Sequence, residues 1–313
     1  LNSSAKIVIT GAAGLVGQNL VPRLKARGYG NITCIDKNPT NTAKLRELHP
    51  DVIAIEADLA VPGEWSEALA GCDVLVCNHA QIGALTYAPF RANNIDATEH
   101  LLTAAKLHAL PYIVHLSSSV INSQARDFYT ESKRAQEQLV VDSAIPCCIL
   151  RPTLMFGWFD RKHLGWLARF MQRLPVFPIP GNGRYLRQPL YVGDLCNIVI
   201  SAIERPRPGE TYNISGQQKI DYIDLMREVR DATGARTMFM KIPYGFFRLL
   251  LDTYALVDRN PPFTSKQLEA LVTPDIFEVI DWPGIFGVSS TPLSEALKET
   301  FQHPVYSNVV LEF

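Results

Sequence analysis

The stretch KIVITGAAGLVGQNL, residues 6–20, joins a short unbroken apolar run to a segment of helical period through three glycines, Gly11, Gly14 and Gly17. An apolar run that does not alternate with polar residues suits a strand covered on both faces of a parallel sheet. Glycines at this spacing, between such a strand and a helix, fit a phosphate-binding turn. Gly11 turns the chain sharply, Gly14 admits a pyrophosphate to the backbone, and Gly17 lets helix pack on strand. The helix start adds free N–H groups and a partial positive charge. A dinucleotide is the expected ligand; a bare strand-to-helix turn is the bland alternative.

The same alternation extends outward. KIVIT (6–10), ITCID (32–36), VIAIEA (52–57), DVLVC (73–77), YIVHLS (112–117) and CCILR (147–151) read as strands, with helices over 15–27, 64–70, 94–109 and 130–143. Strands and helices in turn predict an α/β fold with a Rossmann-type doubly wound parallel sheet. This places a dinucleotide-binding domain over 1–151, with 186–215 contributing elements. Past residue 151 the order loosens. Prolines make RLPVFPIPGNG (173–183) an expected loop, and helices are expected near 193–203, 221–233 and 244–256. Residues 152–313 read mainly as a smaller, partly interwoven substrate-binding domain closing over the carboxyl edge of the sheet.

Composition narrows the function classes. Apolar residues make up 47% and charged residues 19%, as in a globular chain with a full core, and the formal net charge of −1 gives no field favouring nucleic acid or an anionic membrane. MFMKIPYGFFRLLLDTYALV (238–257) is strongly apolar, but Lys241, Pro243, Arg248 and Asp252 interrupt it, so it is expected to form a short strand and a helix and not an integral membrane segment. An interfacial surface there is the less favoured reading. Cys34, Cys72, Cys77, Cys147, Cys148 and Cys196 mostly lie in apolar runs without metal-ligand spacing. They are expected to be reduced core residues, and no metal is expected. No signal-peptide pattern opens the sequence, Leu1 in place of Met suggests a trimmed chain, and a cytoplasmic location is expected.

Two further features bear on chemistry. Asp36 ends the second apolar run, where a carboxylate accepts both ribose hydroxyls of NAD and repels the 2′-phosphate of NADP; NAD is favoured, with Lys37 alongside as a cation that tolerates the phosphate. In DFYTESKRAQEQLV (127–140), Tyr129 and Lys133 stand four apart, soon after LSSS (116–119). On one helix face, the ammonium would lower a phenol pKa of about 10 toward the working range. Such a phenol exchanges a proton while a nicotinamide exchanges a hydride, and a serine at the strand end holds the substrate oxygen. The alternative is an exposed helix start with Lys133 paired to Glu131 or Glu137.

Together these motifs resemble the extended short-chain dehydrogenase/reductase family, in particular its NAD-dependent sugar-nucleotide epimerase/dehydratase branch, over nearly the whole chain. TGAAGLVG is similar to the family's TGxxGxxG loop, Asp58 in EADL to the acid at the adenine, and NHA (78–80) to an NAA-type turn with His79 replacing an alanine. Asn94 sits where the family has its NxxGTxNLLEAA helix. LSSS with Tyr129-x-x-x-Lys133 resembles the catalytic serine and YxxxK pair, while RPTLMFG (151–157), RQPLYVGDL (187–195) and TYNISG (211–216) resemble later family segments. The resemblance implies Ser118, Tyr129 and Lys133 as catalytic residues, with Ser119 and then Ser117 as the other candidates for the serine. It implies cofactor contacts from Gly11, Ala13, Gly14, Leu15, Val16, Gly17, Asp36, Asp58, Leu59, Asn78, His79, Ala80, Asn94, Tyr129, Lys133 and Pro152. It also implies Arg187 at a substrate diphosphate, while Phe156, Trp158 and His163, near the presumed cleft, are candidate pocket-lining residues on the substrate side, with Ser119. Trp158, Phe159, Trp166 and Phe170 equally suit helix packing, and His79 and His115 suit local hydrogen bonding. The family's dimers pair the helices at 94–109 and 130–143, so a homodimer is expected, with Leu101, Leu102, Leu139 and Val140 available.

Departures from the family pattern shape the functional expectation. The run from Ser118 to Tyr129 is short, which predicts a more open site. Ser119-Val120 replaces the acidic pair of the sugar 4,6-dehydratases, which argues against that activity. Leu154 stands where many members place an asparagine on the substrate diphosphate. PPFTSKQLEAL (261–271) and FGVSSTPLSEAL (286–297) are similar to the carboxyl-terminal region of atypical members related to a complex I accessory subunit. The leading expectation is an NAD-dependent epimerase or oxidoreductase acting on a secondary alcohol of a nucleotide-activated sugar. Its enzymatic rival is a dehydrogenase or reductase of a hydrophobic alcohol or ketone (lipid, quinone or steroid-like). The rival from another class is a non-catalytic dinucleotide-binding scaffold.

Overall fold

Each of the six apolar runs forms a strand: β1 (Ile7–Thr10), β2 (Ile32–Asp36), β3 (Ile53–Glu56), β4 (Val74–Cys77), β5 (Ile113–Leu116) and β6 (Cys147–Pro152). They belong to a computed structural model that describes residues 2–124, 126–160, 162–257, 264–273 and 276–312. The first half also holds helices α1 (Leu15–Ala26), α2 (Pro39–Leu48), the single turn α3 (Ala88–Phe90), α4 (Ala97–Leu107) and α5 (Phe128–Asp142). Helix α2 has no counterpart in the sequence reading. It buries little apolar surface, only Leu45 together with the polar Asn41 and Thr42, so its periodicity is weak. Its start was nevertheless written in the sequence: Asn38 caps it by accepting the Asn41 N–H at 2.9 Å, and Pro39 occupies the first turn. The segment expected as a helix over 64–70 winds more tightly, as a 3-10 helix at Glu64–Leu69. The helix expected from 94 begins earlier, at α3, and passes through a π-helical turn at Arg91–Asp96 before α4.

The second half contributes β7 (Met155–Phe156), α6 (Leu164–Arg173), β8 (Val176–Pro180), β9 (Leu186–Arg187), β10 (Leu190–Tyr191), α7 (Val192–Glu204), β11 (Thr211–Ile214), β12 (Ile220–Asp221) and α8 (Tyr222–Thr233). These are followed by β13 (Met238–Ile242), α9 (Tyr244–Val257), α10 (Ser265–Val272), α11 (Trp282–Phe286) and α12 (Leu293–Gln302). Strand β11 returns to the first half as the seventh strand of its sheet, ordered β11-β6-β5-β4-β1-β2-β3, with every neighbouring pair parallel. Alternate residues of the central strands feed two cores. Ile7, Ile9, Val74, Val76 and Val114 face one with Leu20, Leu195 and Val199, whereas Val8, Leu75, Cys77 and Ile113 face the other with Leu101, Leu102 and Val140. All six cysteines are free and buried.

The proline-rich segment is not simply a loop. Val176–Pro180 pairs in parallel with β13, Met240 opposite Pro178 and Ile242 opposite Pro180. The Gly181 N–H donates to the Ile242 carbonyl, so residues 177, 179 and 181 turn their N–H groups to the partner. Pro178 and Pro180, which have no N–H, turn their ring nitrogens to the other edge, where a strand tolerates proline. Helix α9 forms as expected after β13. Among the described residues no helix is long and apolar enough to cross a membrane. Pro261–Phe263, part of the carboxyl-terminal resemblance, lie outside the described residues. Leu101, Leu102 and Val140, three of the four apolar positions expected to be available for pairing helices between subunits, lie inside the chain's own core.

Candidate active site

The glycine turn sits between β1 and β4, where the strand order reverses, the position at which open parallel sheets bind ligands. Gly11 has φ +60°, and a Cβ on it would stand 2.7 Å from the His79 Cα. A Cβ on Gly17 would stand 2.4 Å from the Ala12 carbonyl oxygen, so this glycine seats α1 on the turn itself and not on the strand. Gly14 caps α1 and has nothing nearer than 3.4 Å to its missing side chain, leaving the helix start open to an anion. Ala13 gives its N–H to the Asp36 carboxylate at 2.9 Å, and Leu15 and Val16 begin α1.

Asp36 closes β2, accepting also the Asn38 N–H at 2.9 Å. Burial raises its carboxyl above the usual range, and these N–H bonds and Lys37 act in the other direction. A groove of about 460 Å³ runs past Gly11, Asp36, Asp58, Leu59, His79 and Ala80, six of the residues expected to touch a dinucleotide. Gln81 and Asn93 line it too, and no sequence motif had pointed to them. Lys37 reaches across to Asn93 Oδ1 at 2.6 Å. Asn78 and Asn94 also hold the frame of the turn. Asn78 donates to the Gly11 carbonyl at 3.0 Å and pins the turn. Asn94 is wholly buried in the π turn, accepting the Gln81 N–H at 2.6 Å and donating to Ser132 Oγ at 2.9 Å, so its amide is committed to the frame. Glycines with no room for a Cβ, an open helix start and a carboxylate at the second strand fit a dinucleotide's pyrophosphate and ribose.

Beyond the groove lies the Tyr–Lys pair. Helix α5 begins at Asp127, whose side chain accepts from the Thr130 N–H at 3.0 Å and from its hydroxyl at 2.9 Å. Of the three serines, Ser118 is the one whose hydroxyl acts on the Tyr129 phenol, drawing its pKa down against burial. Ser117 Oγ is buried without a partner among the described residues, and Ser119 starts a short 3-10 helix, Ser119–Asn122. The short connection to Tyr129 is held down by Arg134, which donates to the carbonyls of Ile121 and Ser123.

Lys133 is fully buried, not an exposed helix residue. It pairs with neither Glu131 nor Glu137; Glu137 binds Arg151 at 2.5 Å. Lys133 Nζ donates instead to the Leu116 carbonyl at 3.0 Å and to Gln136 Oε1 at 2.6 Å. Burial pushes its pKa down to about 8, with Cys77 and Glu137 acting upward. The Tyr129 phenol stands above its usual range and not below it: burial raises it, the Ser118 hydrogen bond lowers it, and the Asp127 charge raises it again. The expected lowering by Lys133 is absent because the ammonium is turned to Leu116 and Gln136.

The substrate-side candidates scatter. Phe156 is buried against Tyr191, ring centroids 5.5 Å apart, and borders a second cavity with Asp194 and Thr291. Trp158 faces away from the groove. Its Nε1 donates to the Glu299 carbonyl at 2.9 Å, the Arg23 guanidinium lies 4.1 Å above its ring, and Tyr306 packs on it. Trp166 and Phe170 stack along α6, the packing role. His163 is exposed at the start of α6. Arg187 is half-buried on β9, 5.6 Å from the Tyr185 ring. Pro152 closes β6 in the interior. Leu154, in the turn between β6 and β7, is 54% exposed. His79 makes the local hydrogen bonds expected of it, whereas His115 is buried with no hydrogen-bond partner of ordinary geometry among the described residues. Among those residues no group of three or more His, Cys, Asp or Glu is placed to hold a metal.

Fold and site together define an extended short-chain dehydrogenase/reductase, an enzyme class built on NAD(P). Within it, residues 7–215 match the model of the NAD dependent epimerase/dehydratase family, and the chain belongs to that family. The ketoreductase of 4-hydroxy-2-methyl-3-oxo-4-farnesyl-3,4-dihydroquinoline-1-oxide from Stigmatella aurantiaca is 26% identical over 75% of each chain. A 3 beta-hydroxysteroid dehydrogenase/Delta 5-->4-isomerase from Mycobacterium tuberculosis is 25% identical over 87% of this chain and 81% of its own. Among solved structures, the UDP-glucuronic acid 4-epimerase from Bacillus cereus in complex with NAD superposes with a TM-score of 0.72, covering 95% of this chain and 98% of its own at 24% identity.

Proposed function

We propose that this protein is an NAD-dependent oxidoreductase that interconverts a secondary alcohol and a ketone on a hydrophobic substrate. The observation that carries the chemistry is the placement of Ser118, just past the end of β5, where its hydroxyl acts on the buried Tyr129 phenol, with Lys133 buried one helical turn on. NAD, when bound, accepts the hydride in oxidation and its reduced form returns it in reduction. The chain's own residues handle the proton and the charge. Ser118 holds the substrate oxygen, Tyr129 gives that oxygen a proton in reduction and takes one back in oxidation, and Lys133, two of its N–H donors held by Leu116 and Gln136, keeps the third for the nicotinamide ribose. The Asp36 carboxylate at the groove favours NAD over NADP. Six unpaired thiols support a reducing, cytoplasmic setting.

Leu154 supports the hydrophobic substrate. An exposed leucine in the turn after β6 offers an apolar contact, where an amide would offer a hydrogen bond to a diphosphate. The two curated relatives named above act on a farnesylated quinoline and on a steroid. A second reading, oxidation or epimerisation of a nucleotide-activated sugar, is favoured by Arg187, a half-buried guanidinium suited to a diphosphate.

The test is turnover of purified protein with NAD(H) and NADP(H) against long-chain or steroid-like ketones and alcohols on one side and UDP-sugars on the other. Turnover confined to the apolar set supports the first reading. Turnover or epimerisation confined to UDP-sugars replaces it with the second. NAD binding without turnover of either set overturns both in favour of a scaffold.

A further inference from the structure

Lys133 belongs to a closed network of buried side chains. Gln136 Oε1 accepts from the ammonium, and Gln136 Nε2 donates to Thr98 Oγ1 at 3.0 Å and to the His79 carbonyl at 3.2 Å. One assignment of the donors around it leaves every member of the network satisfied. The Thr98 hydroxyl gives its proton to the Asn94 carbonyl at 2.8 Å, so its oxygen can only accept from His79 Nε2, 2.9 Å away. In that assignment His79 carries its proton on Nε2, and Nδ1 accepts from the Thr10 hydroxyl at 2.9 Å. Burial, then the Lys133 ammonium, pushes the His79 pKa down to about 3, which keeps the ring neutral in this role. Both protons of the Gln136 amide thus have acceptors, and a flipped amide would set an NH2 group against the ammonium.

We propose that Gln136 is a positioning residue for Lys133, its carbonyl locked onto the ammonium by Thr98 and by His79, which stands where similar sequences carry an alanine. This deepens the hydride-transfer reading and rests on it for its catalytic consequence. Two of the three N–H donors of Lys133 are held by Gln136 and Leu116, which leaves one for the reacting groups. Other titratable groups face Lys133 from each side: Cys77 from β4, His79 from the following turn, His115 from β5, and Glu137 from α5, the last bound to Arg151 of β6. Among the side chains around it, Gln136 is the one that gives the ammonium an acceptor without adding charge.

Gln136→Glu converts that acceptor to a carboxylate at the same position, and Gln136→Leu removes it. Lysine ¹³Cε resonances titrated by NMR, with the Lys133 signal identified by its loss in Lys133→Met, read the ammonium directly. The wild-type signal should titrate near the depressed value of about 8. Gln136→Glu should move it upward by a unit or more, and Gln136→Leu should move it further down, because an opposite charge or an acceptor favours the protonated form. The high-pH limb of the kcat profile should shift with the resonance in Gln136→Glu. Activity that needs the ammonium is lost as pH rises through its pKa, so the limb moves to higher pH. A Lys133 resonance unmoved in either variant overturns the positioning role whatever the activity. A resonance that moves in a protein without measurable turnover upholds the network and refutes the hydride-transfer reading alone. His79→Ala, if stably folded, should give a downward shift smaller than Gln136→Leu; no shift removes His79 from the proposal.

Discussion

The dinucleotide groove and the reaction site beyond it are built from different materials. In the groove the main chain sets the shape: Gly11 holds a positive φ, Gly17 leaves no room for a Cβ, and the Ala13 N–H is tied to Asp36. At the reaction site the shape comes from side chains: Ser118 acts on Tyr129, and Lys133 holds Gln136 of its own helix, whose amide rests on a histidine 57 residues away. A backbone-built site fails by steric clash, which destabilises folding and binding together. A side-chain-built site fails by losing one proton or one acceptor, which alters chemistry and leaves the fold in place.

The largest effect should come from the reaction site. Tyr129→Phe keeps the ring and its packing but removes the proton carrier, so kcat should fall about 10²–10⁴-fold, the range for loss of a general acid or base. Thermal stability and the affinity for NAD should stay near wild type. An unchanged kcat would remove Tyr129 from the mechanism, and a collapse of stability would show that this site, too, holds the fold.

Gly17→Ala should do the opposite. The added methyl lies 2.4 Å from the Ala12 carbonyl, so turn and helix must separate at a cost of about 1–3 kcal/mol, typical of overpacking. The melting temperature and NAD affinity should fall together, while kcat at saturating NAD should change little. A variant with wild-type melting temperature and NAD affinity would mean that the turn is more pliant than its packing implies.

The same contrast explains how much the sequence disclosed. The α/β fold was legible because strands covered on both faces are written as continuous apolar runs, and KIVIT through CCILR all form strands of the one sheet. The glycine turn was legible because its cause is local. Tyr129 and Lys133 were legible as a pair, but not their surroundings: nothing in DFYTESKRAQEQLV says that Lys133 is buried or that Gln136, one helical turn on, accepts from it. Nothing in the sequence showed the partners of Asn94, matched to the family's NxxGTxNLLEAA helix, or of Trp158, placed near the presumed cleft: a π turn buries the first, and the second donates to the Glu299 carbonyl. A proline-rich strand went unread because proline is forbidden only on the bonded edge. Each miss concerns a partner supplied by the tertiary fold.

Asp36 stands on both sides of this division, which makes it the finest test. Its carboxylate is part of the backbone frame, through the Ala13 and Asn38 N–H groups, and it also lines the groove where a ribose would lie. Asp36→Asn removes the charge and keeps an acceptor for the frame. If the carboxylate acts on the ribose, the preference for NADH over NADPH should drop by about tenfold, roughly 1.4 kcal/mol, as repulsion of a 2′-phosphate is relieved. Fluorescence titration with both reduced cofactors measures the ratio. A loss of affinity equal for the two would assign Asp36 wholly to holding the glycine turn, and Lys37, linked to Asn93, would then be the residue beside the ribose to examine. A change in the ratio with little loss for NADH would mean that the frame survives on one remaining acceptor and that discrimination between cofactors resides in the charge.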